Sequence, residues 1–390
     1  MSNVGVISIG VRTPIIRKGD DLVSIVKDSV FDAAKEINLS LRDGDIVAVT
    51  EAVVARSQNN YATVEQIAKD IRQKTGGGVV GVLNPILSRN RFSMILKAVS
   101  LACEKVVIQL SYPCDEVGNP LLDWQSAQDK CGGVYDEEFT AKEFKDRFGS
   151  TLHPFTDVDY IDYYSKICPN SVIIISNKRE SILKHTNCVI VSEIHSRQAA
   201  KEKLRKLGAK VFGLDDILNE SVDGSGFNSL YGLLGSNLAT EGSIKLFPQN
   251  SQEFVQKLSK EFFEATGKKI EVMVYGDGAF KDPVGGIWEL ADPTPCPAFT
   301  KGLLGSPHEL KLKYLADTAL KDMDEAQAEA KLKELIRAKS CLKDEMLGQG
   351  TTPRRYTDLL ASLADLTSGS GDRGTPVILI KNYFSNYADK

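Results

Sequence analysis

Long apolar runs are missing from this chain of 390 residues. No stretch approaches the ~20 residues that a membrane-spanning helix needs. The longest, 172–175 and 377–380, have the size of buried strands. Residues 1–12 lack the basic start, apolar stretch and small-residue cleavage site of a secretory signal. Histidine is scarce: His153, His185, His195 and His308 are the only four, and no two stand four residues apart, which excludes a helical His-x-x-x-His metal site. The seven cysteines (Cys103, Cys114, Cys131, Cys168, Cys188, Cys296 and Cys341) are scattered without a C-x-x-C pair. That pattern indicates neither a disulfide framework nor a zinc site, and reduced thiols make the cytoplasm the expected compartment. An excess of one charge is absent as well, since 48 basic side chains face 52 acidic ones for a net charge of −4. Such a balance points to neither nucleic acid nor an anionic membrane, although local basic spots still suit a small anionic substrate. Neither G-x-x-x-x-G-K-[ST] nor G-x-S-x-G occurs, so a P-loop and a serine-hydrolase elbow are excluded.

What is present is material for a core, 42% hydrophobic and 26% charged, long enough for two domains or one core with a large insertion. Short apolar runs predict strands at 4–9, 46–50, 105–110, 171–176, 188–192, 210–213, 269–275 and 376–381. Helical spacing predicts helices at 21–37, 64–74, 92–102, 140–148, 196–207, 251–266, 310–319, 325–337 and 356–366. In the first of these, Leu22, Ile25, Val26, Val30 and Ala33 recur on one face behind a cap at Asp20 or Asp21. Gly76, Gly77 and Gly78 read as a stop followed by flexible chain, and 111–155 as long loops around one charged helix. The alternation defines an α/β class with mixed α+β sheets. Residues 1–89 and 226–390 are expected to form one core around an inserted α/β segment, 90–225.

Three places could carry chemistry. Gly369, Ser370, Gly371, Asp372, Arg373 and Gly374 spell G-x-G-x-x-G, but a helix leads into this loop and a strand leaves it. A dinucleotide fold needs the reverse order, so a nicotinamide site here fails. What remains is either a nest of backbone N–H groups that can approach phosphates or a plain helix–strand connection. Next, the apolar run ending at Tyr275 delivers Asp277 between two glycines, with Asp282, Glu289 and Asp292 following. Carboxylates at a strand end suit a hard cation such as Mg²⁺, though a Gly-Asp-Gly turn gives the same pattern. Finally, Arg56 stands just beyond the second strand, where a guanidinium can reach a phosphate or simply meet solvent.

Taken in order, these pieces resemble the coenzyme F(420):L-glutamate ligase (gamma-glutamyl ligase) family. The resemblance runs through Thr13-Pro14-Ile15-Ile16-Arg17-Lys18-Gly19-Asp20-Asp21-Leu22, the stretch from Leu41 to Val49, Ser236-Asn237, the unit from Glu264 to Asp277, and the end from Asp358 to Lys381. It covers about 11–59 and 229–383. It implies a core shared by the two chain ends, a homodimer, and GTP (or ATP) used with Mg²⁺ or Mn²⁺. It implies as well that L-glutamate is joined to a carboxylate-bearing acceptor. Carried over by position, Pro14, Ile15, Ile16, Glu51, Ala52, Arg56, Asn237 and the loop Gly369, Ser370, Gly371, Asp372, Arg373, Gly374 would face the nucleotide. Asp277 and Gly278 would sit at the metal, with Asp282 and Asp292 as added ligands from the residues that follow. No catalytic residue is assigned. The chain departs from the family's pattern at Leu234 and Ser370, where acidic residues are usual, and has Arg56 in place of a lysine; Asp282, Glu289, Asp292 or a middle-segment acid such as Asp157 or Asp159 would replace the missing acids. A non-catalytic nucleotide-binding homologue and a folate-type gamma-glutamyl ligase are the alternatives.

Overall fold

Ile46–Thr50 and Val377–Lys381 are apolar at consecutive positions, a pattern that demands cover on both faces of a sheet. They lie side by side in a five-stranded sheet ordered Ile7–Val11, Val377–Lys381, Ile46–Thr50, Glu271–Tyr275, Ala298–Phe299. The computed structural model describes residues 4–87, 92–152, 157–276, 295–339, 355–368 and 371–389. Within this sheet the first pair is antiparallel, with Ile7 opposite Lys381, and only Ile46–Thr50 and Glu271–Tyr275 run parallel. Side chains alternate across it with period two. Val47, Val49, Val272, Val274 and Leu379 pack with Val26, Val30, Val255 and Phe262 from the helices Leu22–Glu36 and Ser251–Thr266. Ile46, Ala48, Met273, Ile378 and Ile380 face the other way, onto Leu360, Ala361 and Ala364 of the helix Tyr356–Ser368. A buried ion pair between Lys381 and Asp45 fastens the last strand to the turn before the second. Between the two acidic cap candidates, Asp21 caps Leu22–Glu36 by accepting from Ser24 N, while Asp20 accepts from Arg17 N at 2.6 Å.

The middle of the chain builds a different sheet of six strands, ordered Phe139–Thr140, Ser171–Ile175, Lys105–Leu110, Val79–Leu83, Cys188–Val191, Lys210–Gly213. All neighbours are parallel except the first pair. Numbered along the chain, its five parallel strands have the doubly wound order 3-2-1-4-5. The helices Val64–Thr75, Phe92–Ala102 and Tyr160–Ile167 cover one face through Ile67, Ile71, Leu96, Val99 and Tyr164. Arg197–Lys206 covers the other through Ala200 and Leu204. A small antiparallel sheet of Asn237–Thr240, Ser243–Lys245 and Tyr61–Thr63 links the two larger ones.

Several sequence expectations needed revision. The glycines at 76–78 do not open flexible chain; they lead directly into Val79–Leu83, a central strand of the parallel sheet. Gly81 in its middle lies against Ile182, where a Cβ would come within 2.6 Å of the isoleucine Cδ1. Close approach, not flexibility, explains that glycine. The second strand passes without a loop into the helix Glu51–Ser57, which holds Val53 and Val54. The loop-rich stretch 111–155 contains a further helix, Trp124–Cys131, and an edge strand, Phe139–Thr140, besides the expected charged helix at Ala141–Phe148. Six cysteines fall in the described residues, and none of these is in a disulfide. No described helix is long and apolar enough to cross a membrane.

Candidate functional site

Ile46–Thr50 and Glu271–Tyr275 run parallel in register, so Thr50 and Tyr275 end beside each other. Their C-terminal ends open onto a cavity of about 440 Å³. The chain start closes one side with Thr13, Pro14, Ile15 and Ile16, and the segment Gly374-Thr375-Pro376 closes the other. A hydrogen bond from Thr50 N to Pro376 O (3.0 Å) holds the second strand to this last segment. Thus residues separated by most of the sequence share one wall. Glu51, Ala52, Val53 and Arg56, from the first turns of Glu51–Ser57, form the floor with Asn237.

Of the residues expected at a nucleotide, Pro14, Ile15, Ile16, Glu51, Ala52, Arg56, Asn237 and Gly374 line this cavity together. The Ile16 side chain is buried in the core, and its carbonyl accepts from Arg56 Nε at 2.6 Å. Gly371, Asp372 and Arg373 form a single 3-10 turn off the wall, and Arg12 Nε donates to Arg373 O. Gly369 and Ser370 lie outside the described residues, as do the metal candidates Asp277, Gly278, Asp282 and Asp292, together with Glu289. Gly276 lines the cavity, so the chain leaves the described strand at this wall. Among the described residues no group of three His, Cys, Asp or Glu side chains could hold a metal ion. Asp159, offered as a replacement ligand, caps Tyr160–Ile167 and pairs with Lys145 at 3.1 Å. Burial pushes its carboxyl up, but two backbone N–H donors and Lys145 outweigh that and hold it below the usual range. Neither it nor Asp157 lines the cavity. Leu234, where an acid was expected from the resemblance, is 1% exposed and packs in the core of the middle sheet.

Sequence reasoning missed Lys245. Its ammonium makes a buried ion pair with Glu51, the first residue of its helix. This pair stands between the first cavity and a second of about 710 Å³, which share Ala52, Val53, Arg56 and Asn237. Arg17, Lys18 and Lys245 line the second cavity along with Arg56. Among the described residues no acidic side chain pairs with Arg17, Lys18 or Arg56. Missed wall residues with polar side chains include Tyr275, Asp365, Ser368 and Thr375. Burial pushes the Tyr275 phenol up, so its hydroxyl stays protonated throughout the physiological range.

The cleft lies at the carboxyl ends of two parallel strands, where α/β sheets collect ligands, and Arg17, Lys18 and Arg56 stand around its junction with the second cavity. The chain belongs to the F420-0:Gamma-glutamyl ligase family, whose model matches residues 10–382. Membership makes it a member of a ligase family whose substrates are small molecules, glutamate among them. A comparison with curated proteins finds no match.

Proposed function

We propose that the chain is a nucleotide-dependent amide-forming ligase that joins L-glutamate, or a related amine, to a carboxylate of a cofactor-like acceptor. The observation that carries this reading is the pair of joined cavities in a chain of this family, with Arg56 and Asn237 common to both. One cavity would take GTP or ATP, and the other the anionic acceptor. In the proposed reaction an acceptor carboxylate oxygen takes the γ-phosphoryl group and the nucleoside diphosphate leaves. The glutamate amine then attacks the acyl carbon, the amide forms, and inorganic phosphate departs. Arg56, anchored on the Ile16 carbonyl, would hold phosphate oxygens, and the Tyr275 hydroxyl would serve as a donor. Mg²⁺ or Mn²⁺ would neutralise charge on the phosphates, with Asp277, Gly278, Asp282 and Asp292 as the proposed ligating segment directly after Gly276. Residues 90–225, on a parallel sheet that already begins at Val79, would serve as lid or acceptor-binding segment around a homodimeric core.

The test is to supply GTP or ATP, Mg²⁺ or Mn²⁺, glutamate and a panel of carboxylate acceptors, and to measure phosphate release. Arg56→Ala is expected to weaken nucleotide binding by about tenfold or more, the usual worth of a charged hydrogen bond to phosphate. Absence of nucleotide binding by calorimetry, with and without metal, would sink the ligase reading. Leu234 favours a second reading, a non-catalytic homologue, because a core leucine stands where an acid was expected. Nucleotide binding without turnover across the panel is the result that reading expects. A folate-type acceptor is one arm of the same panel.

A further inference from the structure

The five-stranded sheet has an open edge. Ile7–Val11 ends it, paired with Val377–Lys381 on one side and, among the described residues, with no strand on the other. In an antiparallel pair, successive residues turn their N–H and C=O alternately toward the partner and away from it, so this strand offers an unused half-ladder. Ile7, Ser8, Ile9, Gly10 and Val11 include neither a proline nor a charge, the residues that usually blunt such an edge.

The edge lies along a groove of about 650 Å³, with Ile9, Gly10 and Val11 on one wall and the helix Leu22–Glu36 on the other. The helix presents two rows to this groove, each with the four-residue spacing of one helix face. Ile25, Ser29 and Ala33 form the inner row, all half-buried, and Ile37 continues it just past the helix end, 48% exposed. Asp28, Asp32 and Glu36 form the rim, all exposed. Among the described residues none of these three acids has an ion-pair partner. Their neighbour Lys27 is turned to Glu261 at 2.9 Å, and Arg12, at the end of the edge, donates to the Arg373 carbonyl. The spacing identifies the occupant. Successive rim acids are four residues apart on a helix, so they stand roughly 6 Å from one another. Alternate side chains of an extended strand stand about 6.6–6.8 Å apart, a near match over three positions. A lysine or arginine at each position lays its aliphatic stem over the inner row and carries its cation to the rim.

We propose that this groove binds an extended segment of a partner protein, with lysine or arginine at three alternate positions, as a further strand beside Ile7–Val11. Backbone hydrogen bonds to the half-ladder hold the segment, and the row Asp28, Asp32, Glu36 selects its sequence. This inference does not rest on the ligase reading, and its test contains no nucleotide.

The experiment titrates the full-length chain into two fluorescent peptides, one alternating lysine with threonine and one of the same composition with its lysines in a block. Anisotropy gives the affinities, and hydrogen exchange gives the place of binding. The alternating peptide is expected to bind at least ~tenfold more tightly than the block peptide. Replacing all three rim acids, by Asp28→Asn, Asp32→Asn and Glu36→Gln, should cost the alternating peptide a similar factor. Asp32→Asn alone should show part of that loss, and it serves if the triple variant does not fold. On binding, exchange should slow at alternate amides of 7–11. Four results overturn the proposal. Equal affinity for the two peptides means diffuse attraction to an acidic surface. Unchanged affinity in the triple variant removes the acid row from recognition, and unchanged exchange at 7–11 puts the peptide elsewhere. Slow exchange at those amides before peptide is added, with a dimer in sedimentation, gives the edge to a second copy of the chain.

Discussion

The two large sheets solve the same packing problem with opposite connectivity. The five-stranded sheet pairs Ile7 with Lys381 and Ile46 with both Ile380 and Glu271, so nearly every ladder joins distant parts of the sequence. The six-stranded sheet draws all its strands from 79–213 and winds them through local crossovers. The difference teaches where each region is vulnerable. Contacts that are distant in sequence fail together when one strand is lost, whereas a locally wound unit keeps its own core.

The largest expected effect tests this directly. Ending the chain after Thr375 removes Val377–Lys381 from between Ile7–Val11 and Ile46–Thr50. Hydrogen exchange should then show the amides of 46–50 and 271–275 unprotected, with those of 79–83 and 105–110 still slow. Equal loss of protection in both sheets would break the comparison. Next comes Lys245→Met, which takes the buried ammonium away from Glu51 at a cost of about 3–5 kcal/mol, read from the urea midpoint. Adding Glu51→Gln should recover more than half of that; no recovery means the pair is not what holds the wall between the cavities. In the middle sheet, Gly81→Ala should cost about 1–3 kcal/mol by overpacking against Ile182. Combined with Ile182→Ala it should cost less than the two changes summed, and strict additivity would contradict the close approach.

The finest test is a titration. Burial lifts the Asp115 carboxyl to about 6, although backbone donors at Asn119, Leu87 and Val117 pull the other way. A raised folded-state value means that the native protein holds this proton more tightly than the unfolded chain does. Its contribution to stability is therefore present below about pH 4 and is lost as pH rises through about 6. Asp115 sits in the middle region, so its carboxyl carbon should titrate near 6 and its pH slope should appear only in the unfolding of that region. A midpoint near 4 would remove the effect.

Sequence periodicity was a good guide where both faces of an element are apolar. Val377–Lys381 and Ile46–Thr50 need no partner to be recognised, and the single apolar face of Ser251–Thr266 is read as easily, because burial dictates each pattern. The walls of the cavity were legible in part: Pro14, Glu51, Arg56 and Asn237 come together as expected positions on one surface. Val79–Leu83 was hidden by the glycines just before its start and by Gly81, since tight packing leaves the same trace as flexibility. Lys245 was hidden for another reason. A lysine in a three-residue strand reads as solvent-facing, and only Glu51, far away in sequence, makes its burial tolerable. The order of strands in either sheet depends on crossovers that no local pattern encodes.

The position of Val377–Lys381 has a consequence for synthesis. This strand lies inside the five-stranded sheet, yet it leaves the ribosome after every other described strand. Every strand of the middle sheet has emerged by Gly213, so that sheet can assemble while the nascent chain still lacks the wall at Gly374–Pro376. Until then Ile46–Thr50 waits with one edge unpaired, at the stage where a chaperone or a second nascent copy would meet it.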